Sequence, residues 1–448
     1  MTTSNFICLS LGSNLGNRFE NFRKAFSLLK ELDIEGMQSS IILETKALLF
    51  PDSPKEWDLP FFNSVLIGRT SLPPKQLLSK VKGIEHKLGR DPHALPWSPR
   101  ILDIDILLYG DEVYNQGDVI IPHERILERP FLLSLIASLC PSRQLSQPGS
   151  QYHLKPFSEI AHLIPCPQEM ILNAFSPATM LMGIVNVTDN SMSDGGKYLE
   201  PAKAVARAEE LFSQGAAVID FGGQATNPRV QQLLSMEQEW ARLEPVLKLL
   251  SERWSGRVAQ YPDISIDTFY PEIIRKAVEL YPIRWINDVS GGSKEMAEVA
   301  KELDLLLVVN HSCSIPPRPD KTLAFSASAA NQLLSWGEVQ IEAFVDLGLS
   351  RDQIIFDPGI GFGTTQIQAL NVLRDMDRFR QLGCATLVGH SRKSCFSLLG
   401  KYDANDRDWE TACFSVLLQQ RGVNYLRVHD VEANQRVLAT AAWPGISI

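Results

Sequence analysis

The sequence predicts two tandem α/β domains, an α+β domain over residues 1–170 and a (β/α)8 barrel over residues 179–448, joined by a linker at 171–178. Three observations carry this. The chain has 448 residues, which at about 150 per domain implies two or three domains. Strand-like runs outnumber helical patterns before residue 140. After Met180, eight apolar runs end near Asn186, Asp220, Asp267, Asn287, Asn310, Asp357, His390 and His429, with helical segments between most of them. Eight such units match the usual size of such a barrel, about 250 residues.

The first elements read in order. Phe6 to Leu11 is a strand, Gly12-Ser13-Asn14-Leu15-Gly16-Asn17 breaks it, and Phe19, Phe22, Ala25, Phe26 and Leu29 recur at helical spacing. Ile41–Leu43 and Asn63–Ile67 read as strands, Pro74–Leu88 as a helix, and Ile101–Leu108 as an alternating strand. The polar stretch between Cys140 and Pro156 reads as a surface insertion, and the Pro-containing stretch from Ile164 to Pro177 as the connection between domains.

Composition narrows the function classes. Hydrophobic residues make up 44% and charged residues 21%, enough to bury large cores and unlike a disordered or fibrous chain. A net charge of −9, from 43 basic and 52 acidic side chains, gives no general attraction to phosphodiesters or anionic lipid, so nucleic acid and membrane are not expected partners. The seven cysteines are scattered without a CxxC pair, which fits neither a disulfide framework nor zinc-finger spacing and suits a reducing cytoplasm. Met1–Leu11 has no basic region leading an apolar core, so no targeting peptide is expected. The longest apolar stretch, Phe131–Cys140, is far short of the ~20 residues that span a bilayer and reads as a buried helix.

The strongest local feature runs from Gly89 to Asp105. On a strand, residues i and i+2 share a face, so Asp103 and Asp105 project together while Leu102, Ile104 and Ile106 face the other way. Two such carboxylates suit hydrated Mg²⁺, which is held by one or two carboxylates plus substrate phosphates. Arg90 and Arg100 flank a Pro-rich loop and could meet the same phosphates, which describes phosphoryl transfer without a Walker A loop. The plainer alternative is a solvated edge strand whose acids simply pair with those arginines.

In the barrel, polar residues fall at successive strand ends, where side chains escape the packed interior and converge. Singly, such a residue is more often a helix cap or turn former. Eight in succession imply a site. Carboxylates such as Asp267 and Asp357 can accept parallel N–H donors in a fork. Arg427, His429, Arg392 and Lys393, with the amide of Asn186, would suit an anionic group.

The segment from Gly89 to Asp105 closely resembles the signature of 6-hydroxymethyl-7,8-dihydropterin pyrophosphokinase. Leu11–Asn17, Phe61-Phe62-Asn63, Glu85, Ile121-Pro122-His123 and Arg129-Pro130-Phe131 resemble that family's other blocks in order. The resemblance implies a ferredoxin-like fold and diphosphate transfer from ATP to the pterin hydroxymethyl, releasing AMP. It implies two Mg²⁺ on Asp103 and Asp105, with Arg90 and Arg100 covering the phosphates. Thr45, Phe61, Asn63 and Phe131 would bind the pterin; Glu85, Trp97, His123 and Arg129 would contact ATP. Glu124 stands where the family often has an aromatic residue.

Met182–Thr188, Ser193–Gly196, Asp220–Gly223, Asp267-Thr268, Ile286–Val289, Asp357–Gly363, Gly389–Ser394 and Arg427–Val431 resemble, in order, the blocks of dihydropteroate synthase. The resemblance implies condensation of the dihydropterin diphosphate with p-aminobenzoate. Asn186 would hold one Mg²⁺, and Arg427 and His429 would stabilise the departing diphosphate. Asp220, Thr226, Asp267, Asn287, Asp357 and Lys393 would bind the pterin diphosphate, and Phe362 and Ser391 would line the p-aminobenzoate pocket. Barrels of this family commonly dimerise, so the resemblance leaves a homodimer through the barrel open. Two loops depart from the family. Thr188-Asp189-Asn190-Ser191-Met192 replaces Thr-Pro-Asp-Ser-Phe, and Gly223-Gln224-Ala225-Thr226-Asn227-Pro228-Arg229 replaces Gly-Glu-Ser-Thr-Arg-Pro-Gly. Val309-Asn310-His311-Ser312 lacks the methionine-rich motif usual at that strand end. Two alternatives for the barrel are a pterin-binding methyltransferase, which has no diphosphate to bind, and a non-catalytic pterin-binding module.

Overall fold

The computed structural model describes residues 4–49, 52–91, 93–95, 97–188, 198–227, 230, 232–255, 261–400 and 403–443. Residues 189–192 of the first altered loop, the Ser193–Gly196 block, and Pro228 and Arg229 lie outside them. The chain divides into one unit of Met1–Pro177 with Ala439–Ile448 and a second of Ala178–Leu438.

The first unit is α+β, as the patterning predicts. Its strands are β1 (Asn5–Ser13), β2 (Ile34–Ser39), β3 (Ile42–Thr45), β4 (Phe61–Thr70), β5 (Asp103–Tyr109), β6 (Tyr114–Gln116), β7 (Val119–Ile121) and β8 (Ile171–Phe175). The main sheet runs β5-β1-β4-β3-β8, with β2 also on β4. Helix α1 (Arg18–Lys30) starts where the Asn17 side chain accepts from the Glu20 N–H, and it buries Phe19, Phe22, Ala25 and Leu29 as their spacing requires. Helix α2 (Pro74–Lys87) opens with proline at its first position, where no N–H is missed. Helices α3 (Pro130–Leu139) and α4 (Phe157–Leu163) pack beside the sheet through Leu132, Ile136, Phe157 and Ile160. Antiparallel pairing with β1 sets Gly12 opposite Asp103 and Ser10 opposite Asp105. Ile104 and Ile106 are buried while the two aspartates stay half-buried on the other face, as strand alternation demands.

The segment expected to be a plain linker is different in the structure. Residues Ile171–Phe175 form β8, paired antiparallel to β3. The alternation of half-buried and exposed residues is weak there, and the flanking prolines mask a strand whose reason is tertiary pairing. The polar insertion after Cys140 closes on itself: Gln144 bridges to Pro156, the Leu145 N–H donates to the Lys155 carbonyl, and Leu145 is buried.

The second unit is a closed barrel of parallel strands β9 (Met180–Asn186), β10 (Val218–Gly222), β11 (Asp263–Asp267), β12 (Trp285–Asp288), β13 (Leu306–Asn310), β14 (Ile354–Asp357), β15 (Ala385–Val388) and β16 (Tyr425–Val428). Around it lie α5 (Pro201–Ser213), α6 (Met236–Trp254), α7 (Pro271–Leu280), α8 (Lys294–Glu302), α9 (Ala329–Asp346), α10 (Gln366–Arg374), α11 (Asp408–Gln420) and α12 (Val431–Ala441). The apolar strand residues Leu181, Val185, Ile219, Phe221, Ile264, Ile266, Ile286, Leu307 and Phe356 pack with the helices in one core. Because that core is filled, polar side chains are delivered to the C-terminal rim. Among the described residues no helix is long and apolar enough to cross a membrane.

Candidate active sites

In the first unit, Asp103 and Asp105 share a cleft with the cations the sequence singles out. Arg90 bonds Asp103 and Glu85, and Arg100 Nη1 lies 3.0 Å from Asp103. Arg129 Nη1 and His123 Nε2 lie 3.3 and 3.6 Å from Asp105. Burial would raise the Asp103 carboxyl, but Arg100, Lys82 and Arg90 outweigh it and hold it down to about 2. Burial pushes His123 the other way, below the usual imidazole range. A cavity of about 580 Å³, room enough for a nucleotide, is lined by Arg90, Trp97, Arg100, both aspartates, His123 and Arg129. A narrower slot against the same aspartates is lined by Thr45, Phe61, Asn63 and Phe131, with the Asn63 amide donating to Thr45 Oγ1 at 2.9 Å.

One residue in the cleft escaped the sequence reading. Lys82 on α2 donates to Glu85 at 2.7 Å and sits 3.7 and 3.8 Å from Asp103 and Asp105. On an amphipathic helix it reads as one more solvated lysine. Glu85 itself does not face the cavity: it is 2% exposed, and its oxygens take Lys82, the Ile104 N–H and Arg90. It positions a cation.

In the barrel, Asn186, Thr226, Asp267, Asn287, Asp357, Phe362, Ser391, Lys393, Arg427 and His429 line one cavity of about 320 Å³. Asp220 lies beneath it, fully buried; its Oδ2 accepts from Asn287 Nδ2 at 3.0 Å and Arg427 Nε at 2.6 Å, while among the described residues Oδ1 has no hydrogen-bond partner. Arg427 also reaches Asp267 at 2.7 Å, so one guanidinium ties two carboxylates from different strands. Burial raises Asp267 to about 8, against the pull of Arg427. Burial likewise raises Asp357 to about 6 and lowers Lys393 to about 8. The Asp357 loop closes through Gly359, at φ +68°, where a Cβ would stand 1.9 Å from the His311 carbonyl oxygen. That turn aims the Gly359 N–H at Asp357 Oδ1, 2.8 Å away, and sets Phe362 under Lys393, whose Nζ is 4.7 Å from the ring centroid. His429 is held well below the imidazole range by burial and then by Arg392, Arg427 and Lys393. It is therefore a neutral hydrogen-bonding group, Nδ1 2.9 Å from Ser391 Oγ, and not the cation its neighbours suggest. Arg392 makes a bidentate pair with Asp408.

A family model described as pterin binding enzyme matches residues 182–429, and one described as 7,8-dihydro-6-hydroxymethylpterin-pyrophosphokinase matches residues 8–141. The folate synthesis bifunctional protein of Chlamydia caviae is 79% identical over 448 residues, covering 100% of both chains. The chain belongs to the bifunctional folate-synthesis family. Its namesake from Arabidopsis thaliana is 31% identical, over 97% of this chain and 94% of its own. A dihydropteroate synthase from Anaplasma phagocytophilum, solved with bound 6-hydroxymethylpterin-monophosphate, matches with TM-score 0.53 at 30% identity, over 59% of this chain and 98% of its own. A two-domain HPPK-DHPS crystal structure at 19% identity and TM-score 0.53 covers 98% of this chain and supports the fold. The protein is thus a bifunctional transferase of consecutive pyrophosphokinase and dihydropteroate synthase steps, and the methyltransferase and non-catalytic readings are not favoured.

Against that background the altered second loop of the synthase domain has a local explanation. Gln224 Nε2 donates to Glu239 Oε2 at 2.9 Å, and its Oε1 accepts from the Leu234 N–H at 2.5 Å. Glu239 is buried, which raises it to about 7. A neutral amide beside that carboxyl avoids a second buried charge. Ala225 and Asn227 line the cavity on either side of Thr226.

Proposed function

We propose that the pyrophosphokinase cleft binds ATP and hydroxymethyldihydropterin, and that Asp103 and Asp105 hold the metal-nucleotide. Their hard oxygens on one strand face fit magnesium. Among the described residues there is no cluster of three or more His, Cys, Asp or Glu suited to a metal, so two protein oxygens leave the remaining positions to phosphates and water, as Mg²⁺ prefers. We assign two ions there and one at Asn186, whose single amide oxygen suits a metal held mainly by diphosphate. When bound, magnesium neutralises developing phosphate charge.

The protein's own groups do the positioning. Arg90 and Arg100 cover the transferred phosphates, Arg129 and His123 hold the nucleotide, and Asn63, Phe61, Thr45 and Phe131 present the pterin hydroxymethyl oxygen to the β-phosphorus. That oxygen bonds to phosphorus as the bond to AMP breaks. In the barrel, Asp357 and Asp267 accept pterin N–H groups, Asn287 and Thr226 complete the grip while Asp220 beneath holds Asn287 and Arg427, and Lys393 over Phe362 closes the wall near p-aminobenzoate. The C9–oxygen bond breaks toward Arg427, and neutral His429, its Nδ1 accepting from Ser391, donates through Nε2 to the departing diphosphate. The amine of p-aminobenzoate bonds to C9 and loses a proton. We further propose a cytoplasmic location and a homodimer formed through the barrel.

The observation that carries this reading is the pairing, in each cavity, of carboxylates with a convergent set of cations. A coupled assay with ATP, Mg²⁺, hydroxymethyldihydropterin and p-aminobenzoate tests it. Asp103→Ala should stop AMP formation and spare condensation of supplied dihydropterin diphosphate; Lys393→Ala should do the reverse. The opposite pattern overturns the division of labour.

A further inference from the structure

Strand β8 lies beyond the span 8–141 that matches the pyrophosphokinase model, yet it completes that domain's sheet. Its partner β3 is only four residues long and sits between β4 and β8. Thr45, the last residue of β3, pairs with Phe61 on one side and Ile171 on the other, and the Lys46 N–H donates to the Met170 carbonyl at 3.1 Å. One step back, Asn173 Nδ2 donates to Glu44 Oε2 at 2.6 Å. The other oxygen of this buried carboxylate holds Arg18 at 2.8 Å. Arg18 in turn donates to the Pro60 carbonyl at 2.8 Å and lies 3.8 Å over the Phe62 ring.

Two of the strands that line the pterin slot, β3 and β4, are therefore fixed from behind by one chain, Asn173–Glu44–Arg18. It meets the slot midway at Thr45, beside Glu44, and from its Arg18 end at Phe61, beside Pro60. Asn63 takes its orientation from Thr45 Oγ1, so a shift of β3 turns the amide that faces the slot. We infer that β8, through the Asn173–Glu44 hydrogen bond, is a positioning element for the pterin subsite of the pyrophosphokinase. This rests on the assignment of Thr45, Phe61 and Asn63 to the pterin. The nucleotide cavity is lined by none of Thr45, Phe61 or Asn63, and β8 should therefore act on one substrate and not the other.

The test uses the full chain and steady-state AMP formation. Asn173→Asp sets a carboxylate against Glu44 and should raise KM for hydroxymethyldihydropterin on the order of 5- to 10-fold, the partial loss of one charge-assisted hydrogen bond. The kcat and the KM for ATP should stay within about twofold, because the nucleotide residues are untouched. The double variant Asn173→Asp with Glu44→Gln reverses the donor and acceptor, keeps the net charge, and should restore most of the pterin KM. Asn173→Ala decides if the aspartate variant does not fold, with condensation of supplied dihydropterin diphosphate reporting an intact chain. An unchanged pterin KM, an equal rise in the KM for ATP, or no rescue by the double variant overturns the inference. Asn63→Ala separates the two claims. If it leaves the pterin KM unchanged, the subsite assignment fails; if it raises that KM while the Asn173 variants do not, only the role of β8 fails.

Discussion

Arg427→Met is the most informative single change in the barrel. The guanidinium makes charge-assisted bonds of 2.6 and 2.7 Å to Asp220 and Asp267, both largely removed from water. Methionine keeps most of the stem's volume and deletes the charge. Removing one partner of a buried ion pair typically costs about 3–5 kcal/mol, because the remaining charge has no compensation. A carboxyl can escape part of that cost by taking up a proton, at about 1.4 kcal/mol for each pH unit above its ordinary value. Asp267 already stands at about 8 in the folded protein, raised by burial against the pull of Arg427. Its stabilising contribution is full below the ordinary carboxyl range and lost as pH rises through about 8; without Arg427 that loss extends further. The deficit should therefore be about 3–5 kcal/mol at pH 9, where Asp267 ionises only beside Arg427, and about 1 kcal/mol smaller at pH 6, where Asp267 keeps its proton with or without Arg427. For a domain of this size the alkaline deficit lowers Tm by about 10 °C. Urea unfolding followed by tryptophan fluorescence at both pH values, with dihydropteroate formation in parallel, measures it. A deficit below about 1 kcal/mol, or one that does not change with pH, would refute the bridging role.

Other outcomes follow from the same geometry. Lys82→Met removes a cation 3.7 and 3.8 Å from Asp103 and Asp105, so nucleotide-free Mg²⁺ binding by calorimetry should tighten several-fold; no change would mean that Lys82 does not contest the site. Gln224→Glu puts a second carboxyl 2.9 Å from buried Glu239 and should cost about 1–3 kcal/mol at pH 8, shrinking below pH 7 as the pair takes up a proton. Thermal melts across that range check the sign. Phe362→Ala removes the ring under Lys393 and should raise KM for p-aminobenzoate on the order of 5-fold while leaving AMP formation untouched, as initial rates would report.

The barrel was legible because its signal repeats: eight apolar runs each end in a polar residue, and the strands stop at or within two residues of those positions. Asp103 and Asp105 were legible because strand alternation alone sets them side by side. What escaped depends on partners distant in sequence. Strand β8 has weak alternation and owes its existence to β3, some 130 positions away. Lys82 and Glu239 sit on helices whose patterning gives their side chains an ordinary solvent face or first-turn role. That Arg427 ties Asp220 to Asp267, and that burial and then the nearby cations keep His429 neutral, follow from the barrel's closure, which no local pattern encodes.

The pairing of β8 bears on how the first enzyme can be handled apart from the second. A fragment ending at residue 141 or 170 would strip the outer side of β3 and leave its amides and carbonyls as a bare rim, the kind that recruits strands from other molecules. Fragments for crystallisation or inhibitor screening should run through Pro177, or the pocket they present will be one that neighbouring copies have reshaped.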